Sequence, residues 1–209
     1  MITNEQLGFI NNQESETLMD SLIPKNFSLI LLDIDFFKTL NDEYGQDQGD
    51  KMISIVAEAV SETAGPLKGT GFRGYGDEFG LLIPEAPLED AFLTADEIRK
   101  TVNNKIRKGG YPWKTSVSIG VAQYPRDGKD KQSIIRAASA ALYTAKENGR
   151  DRVALPPRED MVLKSCYYPA AALGRLKQIA ASSGKKESVL FREALEGLLR
   201  RYDDTPGAE

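Results

Sequence analysis

The apolar residues of this chain follow two alternating periods. Residues 27–32 (Phe-Ser-Leu-Ile-Leu-Leu) form a short, nearly continuous apolar run, the pattern of a strand buried on both faces. From Asp50 the residues Met52, Ile55, Val56, Ala59 and Val60 recur at helical spacing. Residues 72–84 predict a hairpin, with Gly-Tyr-Gly-Asp at its centre and Phe79, Leu81, Leu82 and Ile83 on the return arm. Leu88, Ala91, Phe92, Ala95, Ile98 and Val102 form a second helical stripe, and Val117, Ile119 and Val121 alternate as a strand does. Ile134, Ile135, Ala138, Ala141, Leu142 and Ala145 predict a third helix with Gly149 as its stop, and residues 152–155 a last strand. The resulting order, βααββαβαβ, predicts an α+β fold in which helices cover a central, mostly antiparallel sheet.

Pro156 and Pro157, followed by charged residues, break this pattern, so residues 156–160 are expected to form a stiff linker after a first domain of residues 1–155. Residues 161–203 then predict a small second unit. Residues 161–168 are expected to form a strand, Pro169 to open a helix that Gly184 ends, residues 188–202 to make a second amphipathic helix, and residues 204–209 to be a frayed tail.

Composition narrows the chemistry. A length of 209 residues with 41% hydrophobic content suits one ordinary domain plus a small one. No apolar run is long enough to span a bilayer, and the start of the chain lacks the basic and apolar regions of a signal peptide. A single cysteine, Cys166, excludes an internal disulfide framework and fits a reducing cytoplasm, the expected location. There is no histidine, which removes imidazole bases, histidine metal sites and both Ser-His-Asp and Cys-His catalysis. Any catalysis here runs on carboxylates, lysine, arginine and metal. The net charge of −4 conceals a basic second unit, which points modestly to an anionic partner.

Two acidic segments carry the remaining signal: residues 32–50, with Asp33, Asp35, Lys38, Asn41, Gly45, Gly49 and Asp50, and residues 73–79, Arg-Gly-Tyr-Gly-Asp-Glu-Phe. Each sets carboxylates at the end of an apolar run beside glycines, which supplies hard oxygen ligands for Mg²⁺ and bare backbone for phosphate. Taken singly they are ordinary: an Asp-x-Asp is usually a solvated turn, a Gly-x-Gly-Asp a hairpin, and Lys146 and Arg150 cations favoured at a helix C-terminus. Their conjunction resembles the GGDEF domain of diguanylate cyclases over residues 4–155. The family pattern D-x-D-x-F-K-x-x-N-D-x-x-G-H-x-x-G-D is met at Asp33, Asp35, Phe37, Lys38, Asn41, Asp42, Gly45, Gly49 and Asp50, with Gln46 in place of histidine. Residues 116–122 (Ser-Val-Ser-Ile-Gly-Val-Ala) resemble the family's T-x-S-I-G-V-A strand. Residues 141–146 with Gly149 and Arg150 resemble its A-L-Y-x-A-K-x-x-G-R helix end. Residues 6–12 faintly echo the family's entry segment.

The resemblance implies two GTP molecules condensed into cyclic di-GMP across a homodimer, with Mg²⁺ (or Mn²⁺) as cofactor. Asp33, Asp77 and the main-chain carbonyl of Ile34 would hold the metal, and Glu78 would be a further ligand or carboxylate base. Lys38, Lys146 and Arg150 would neutralise the triphosphate. Asn41 and Asp50 would read guanine, and Phe37 and Gly76 would complete the substrate site. Two positions depart from the family. Tyr75 replaces the first glycine of G-G-[DE]-E-F, where a side chain crowds the phosphates and tolerates φ > 0 poorly, unless Gly74 absorbs the turn. Residues 66–69, Pro-Leu-Lys-Gly, lack the R-x-x-D of the inhibitory site, so product inhibition through it is not expected.

Residues 161–202 resemble a ribbon-helix-helix domain of the CopG/Arc type, in which a strand pairs with its twin from a second chain and two helices close an intertwined dimer. The family lays that ribbon in the DNA major groove. Leu163, Ser165 and Tyr167 would then point outward, and Ser188 would meet a phosphate. This outward triplet lacks the arginine, lysine or asparagine that commonly reads bases, so dimerisation alone and DNA binding both stay open. Three functional readings follow: a diguanylate cyclase assembled by its tail; a catalytically silent GTP- or cyclic-di-GMP-responsive DNA-binding regulator; and a purely structural assembly protein.

Overall fold

In the computed structural model the described residues are 3–74, 76–157 and 168–185, together with 187, 190, 191, 194, 195 and 197. The central strand is β1 (Phe27–Ile34), and its apolar run divides by parity. Ile30, Leu32 and Ile34 enter one core layer, and Phe27 and Leu29 the other, because successive side chains on a strand point to opposite faces. Antiparallel partners flank it on both sides: β3 (Glu78–Pro84) and β4 (Val117–Tyr124). β2 (Thr70–Arg73) pairs with β3 as the predicted hairpin, and β5 (Val153–Ala154) runs parallel to β4 at the opposite edge. The five-stranded sheet therefore has the order β2-β3-β1-β4-β5 and is mostly antiparallel, as expected.

Helices cover both faces. α1 (Asn4–Leu7) and α2 (Asn12–Leu22) precede β1; α3 (Phe37–Tyr44) and α4 (Gln46–Ala64) follow it; α5 (Leu88–Lys108) precedes β4 and α6 (Lys131–Glu147) follows it. From β1 onward the order is the predicted βααββαβαβ. Met52, Val56 and Val60 of α4 and Ala91, Ala95, Ile98 and Val102 of α5 fill the larger layer against Phe79, Leu81 and Val121. Met19 of α2 and Ile134 and Ala138 of α6 fill the smaller one. Periodicity did not announce α1 and α2, since α2 buries only Ser15 and Met19. Capping boxes start them instead: Thr3 with Gln6, and Asn11 with Glu14.

One close approach fixes where the site will stand. A Cβ on Gly120 of β4 would lie 2.3 Å from both Ala138 O and Leu142 N of α6. Any side chain there would lift α6 from the sheet and move its C-terminal turn, which carries Lys146.

The chain divides into two compact units, Met1–Asp160 and Met161–Glu209. In the second, α7 (Ala170–Ser183) begins after Pro169 and ends at Gly184, whose left-handed backbone (φ 66°) lets its N–H bond to Ala180 O. Residues 187, 190, 191, 194, 195 and 197 are helical. None of α7 is buried, and Leu173, Ile179, Phe191 and Leu195 are exposed. The expected ribbon residues Leu163, Ser165 and Tyr167, the helix-start Ser188 and the tail 204–209 lie outside the described residues, as do linker residues 158–160. Among the described residues no helix is long and apolar enough to cross a membrane.

Candidate active site

The C-terminal end of β1 delivers the first carboxylate. Register sets Asp33 directly opposite Glu78 of β3 on one side and Ser118 of β4 on the other. Directly opposed side chains share a face, here the face covered by α2 and α6, and two like charges so placed repel. Asp77 follows in the hairpin turn. Burial raises the Asp33 carboxyl above its ordinary value of 3.8; Lys146 opposes the rise, and the charges of Asp77 and Asp35 add to it. Burial raises Asp77 as well, with Lys146 and Arg73 lowering it and Glu78 raising it. A cation meets this cluster in contact: Lys146 Nζ lies 2.7 Å from Asp33 Oδ1. Among the described residues no three acidic, cysteine or histidine side chains converge as a metal cage. Magnesium does not ask for one, since it is commonly held by one or two carboxylates and takes its other ligands from water and substrate phosphates. Asp33, Asp77 and the main chain of Ile34 fit that mode, and because the Ile34 side chain is a hydrocarbon only its backbone carbonyl can serve.

Asp35, two residues on, does something different. It is 1% exposed and accepts from Ser116 Oγ at 2.5 Å, Ser118 Oγ at 2.7 Å and the Asp151 N–H at 3.2 Å. The second aspartate of the Asp-x-Asp is thus committed to internal hydrogen bonds. Beside it, Phe36 takes a left-handed backbone (φ 57°) and stays 56% exposed, and the Arg150 guanidinium stacks on its ring at 4.6 Å. Arg150 Nε is 3.9 Å from Asp35 Oδ1.

The base-reading candidates sit on the α3–α4 corner. Asn41 closes against Gly49: a Cβ there would lie 1.9 Å from Asn41 Oδ1 and 3.3 Å from Phe37 Cε2. Phe37 is half-buried against the larger core layer, so it shapes this corner from beneath. Lys38 is exposed in the first turn of α3, which no side chain caps, leaving its amides for an incoming group. Asp50 is half-buried one residue beyond Gly49.

Arg73 joins the two halves, and sequence reasoning missed it. It is 6% exposed, donates from Nε (3.1 Å) and Nη2 (2.5 Å) to Gly76 O, and lies 5.5 Å from the Phe79 ring centroid. Burial lowers its pKa from the ordinary arginine value, and the charges of Asp50 and then Asp77 oppose the fall. The available signal was a charged residue at the last position of a strand whose neighbours are buried. The hairpin tip also corrects one expectation. Gly76, not Gly74, carries the left-handed turn (φ 69°). Gly74 serves packing instead, since a Cβ there would meet Asn12 at 3.2 Å and Glu78 Oε2 at 3.5 Å. Tyr75 lies outside the described residues. Where the inhibitory site was expected to be missing, Pro66 and Leu67 lie in a 3₁₀ turn that ends at Lys68 in a left-handed conformation.

Comparison with known proteins identifies the family and the fold. The sequence model of the family described as "Diguanylate cyclase, GGDEF domain" matches residues 9–152. Diguanylate cyclase A of Treponema denticola is 36% identical over 132 residues, which cover 63% of this chain and 35% of that protein. The GGDEF domain of YfiN (TpbB) from Pseudomonas aeruginosa superposes with a TM-score of 0.66 at 26% identity, covering 72% of this chain and 98% of that one. The coiled coil and GGDEF domain of DgcB from Caulobacter crescentus, solved with c-di-GMP, gives 0.62 at 27% identity, covering 73% and 84%. The chain spans about a third of the length of the curated relatives it matches.

Proposed function

Because the chain belongs to the diguanylate cyclase GGDEF domain family, we propose that it condenses two GTP molecules into cyclic di-GMP, each half supplied by one copy of the chain. The observation that carries this reading is the meeting of Asp33, Asp77, Glu78 and Lys146 at one end of the sheet, beside the Asn41–Gly49–Asp50 corner. In the reaction the 3′-hydroxyl of one GTP attacks the α-phosphorus of the other and pyrophosphate leaves; a second, reciprocal attack closes the ring. Asp33, Asp77 and the Ile34 carbonyl would hold Mg²⁺ or Mn²⁺, which when bound polarises the phosphates and makes the hydroxyl more acidic. Glu78, opposite Asp33, stands where a carboxylate can accept that proton or complete the ligand set. Lys146 exchanges Asp33 for phosphate as substrate enters, Arg150 offers its planar fork, and Lys38 with the uncapped amides of α3 receives the far end of the triphosphate. Asn41 donates to and accepts from guanine, and Asp50 accepts from its N–H groups.

The second unit is proposed to be a ribbon-helix-helix dimerisation module, with the linker near residues 156–160. The unburied apolar residues of α7 and its neighbours, Leu173, Ile179, Phe191 and Leu195, support a second copy as the partner. A tethered dimer raises the local concentration of the facing cyclase domain, which the condensation requires. DNA binding by the same module is the finer proposal.

Tyr75 favours a second reading, a catalytically silent nucleotide-responsive regulator, because it replaces the first glycine of the family's motif in the sequence. Incubation of purified protein with GTP and Mg²⁺, followed by mass spectrometry, separates the two. Cyclic di-GMP from the wild type and none from Asp77→Ala is the expected result. Bound GTP without product overturns the cyclase reading, and Tyr75→Gly then tests whether that residue silences the site.

A further inference from the structure

We infer that Arg99 and Asn103 of α5 are positioning residues for Arg150, acting through Asp151; this rests on the reading of Arg150 as a phosphate ligand. After α6 the backbone passes through three successive left-handed residues: Gly149 (φ 105°), Arg150 (φ 62°) and Asp151 (φ 45°). Only the first is glycine. Two adjacent side-chain-bearing residues in this region are costly and persist where the surroundings hold them there.

The Arg150 N–H donates to Ala145 O at 3.1 Å and its carbonyl accepts from Arg152 Nε at 3.0 Å, but the Arg150 side chain supplies little of that hold. Its guanidinium rests on an exposed ring, and its approach to Asp35 at 3.9 Å is too long for a hydrogen bond. Its neighbour is clamped from two sides. From the sheet, buried Asp35 accepts the Asp151 N–H at 3.2 Å, and Ser116 and Ser118 fix the Asp35 carboxylate. From α5, Asp151 Oδ1 accepts from Arg99 Nη1 at 3.0 Å and Asn103 Nδ2 at 2.9 Å, while Arg99 Nη1 also reaches Asp151 O at 3.4 Å. Arg99 is braced by Asp96, whose Oδ1 accepts from Nε at 3.0 Å and Nη2 at 2.8 Å. An isolated surface ion pair would contribute little. Here three donor contacts from one helix converge on the residue whose backbone sets the direction in which Arg150 leaves the chain.

The test is a double-mutant cycle on the full chain, read as affinity for a non-hydrolysable GTP analogue by calorimetry, so that turnover is not needed. Arg150→Ala is expected to weaken binding, and Arg99→Ala to weaken it by about 5- to 20-fold. In the Arg150→Ala background, Arg99→Ala should cost less than about two-fold, because the group it positions is gone. Asp151→Asn, which keeps an acceptor and tolerates left-handed backbone, should bind nearly as wild type, and Asp151→Ala should not. An equal loss from Arg99→Ala in both backgrounds, or no loss in either, overturns the positioning role while leaving Arg150 in place. If Arg150→Ala binds the analogue as well as wild type, the reading of Arg150 itself is wrong, and the inference falls with it.

Discussion

Gly49→Ala should separate recognition of guanine from stability of the fold. The new Cβ would lie 1.9 Å from Asn41 Oδ1 and 3.0 Å from its Cγ, so the amide cannot stay where it is. It is the end of a flexible side chain on a helix whose Asn41 is only half-buried, and it can rotate away. The Phe37 ring, 3.3 Å from the added carbon, needs to yield only a few tenths of an ångström. Rearrangement of this kind costs roughly 0.5–1.5 kcal/mol. Against it, alanine is about 1 kcal/mol better than glycine inside a helix, and position 49 lies within α4. The two effects nearly cancel, so the thermal midpoint should move by less than about 4 °C. Binding has no such compensation. Losing the Asn41 hydrogen bonds to the base removes roughly 1–3 kcal/mol, about a 5- to 150-fold loss of GTP affinity. Calorimetry with GTP and with ATP on both proteins measures this, and the loss should fall on GTP so that discrimination shrinks. A variant that melts like wild type and binds GTP like wild type would refute the assignment of Asn41 to the base.

Other outcomes follow from the same geometry. Asp77 has its carboxyl raised by burial, so its contribution to stability is greatest below its unfolded value near 3.8 and is lost as pH rises through the folded value; Lys146, Glu78 and Arg73 are the charges it faces. Asp77→Asn should therefore melt at or above wild type at neutral pH and show no such advantage near pH 4, which a pH series of thermal scans checks, while making no cyclic di-GMP. Asp35→Ala removes a buried acceptor from three donors and should lose about 2–4 kcal/mol in denaturant unfolding. Chelation with EDTA should stop product formation and added Mg²⁺ restore it, whereas activity undiminished by EDTA would exclude the proposed Asp33–Asp77 role. Deleting residues 160–209 should turn a dimer into a monomer in light scattering, and an unchanged dimer would refute assembly by the tail. Any DNA complex should weaken as salt rises, because phosphate contacts release counterions.

Much of the fold was legible because burial and periodicity coincide where strands cross the core. Residues 27–32 looked buried on both faces and they are, and the stripe from Leu88 to Val102 is the inner face of α5. α2 escaped notice because it buries so little, and its start is written in hydrogen-bonding side chains rather than in hydrophobic spacing. The site divides in the same way. Asp33, Asp77, Lys146 and Asn41 could be named as candidates because they fall on the family pattern that the sequence resembles. The roles of Asp35, Arg99 and Asp151 could not be read, because what they do depends on distances between β1, α5 and the turn after α6, separated by 52 residues in the Arg99–Asp151 case. Arg73 belongs to this second class as well: a charged residue closing an apolar strand is a signal, but by itself it does not distinguish a clamp on the hairpin from a solvated charge.

The placement of charge gives an independent reason to regard this end of the sheet as functional. A fold selected for stability alone gains nothing from setting Asp33 directly across from Glu78, next to Asp77, where burial raises two carboxyl groups even with Lys146 in contact with Asp33. The same chain satisfies Asp35, another aspartate two residues away, with three hydrogen bonds at almost no exposure. So the chain can neutralise the burden of a carboxylate where structure is the purpose. At Asp33 and Asp77 it leaves the charges mutually repelling and partly accessible, which is the condition in which a divalent cation and a triphosphate bind with most to gain. Neutralising either aspartate should accordingly stabilise the empty domain and weaken its hold on Mg²⁺·GTP. A variant that lost stability and kept nucleotide affinity would show that the repulsion serves the fold after all.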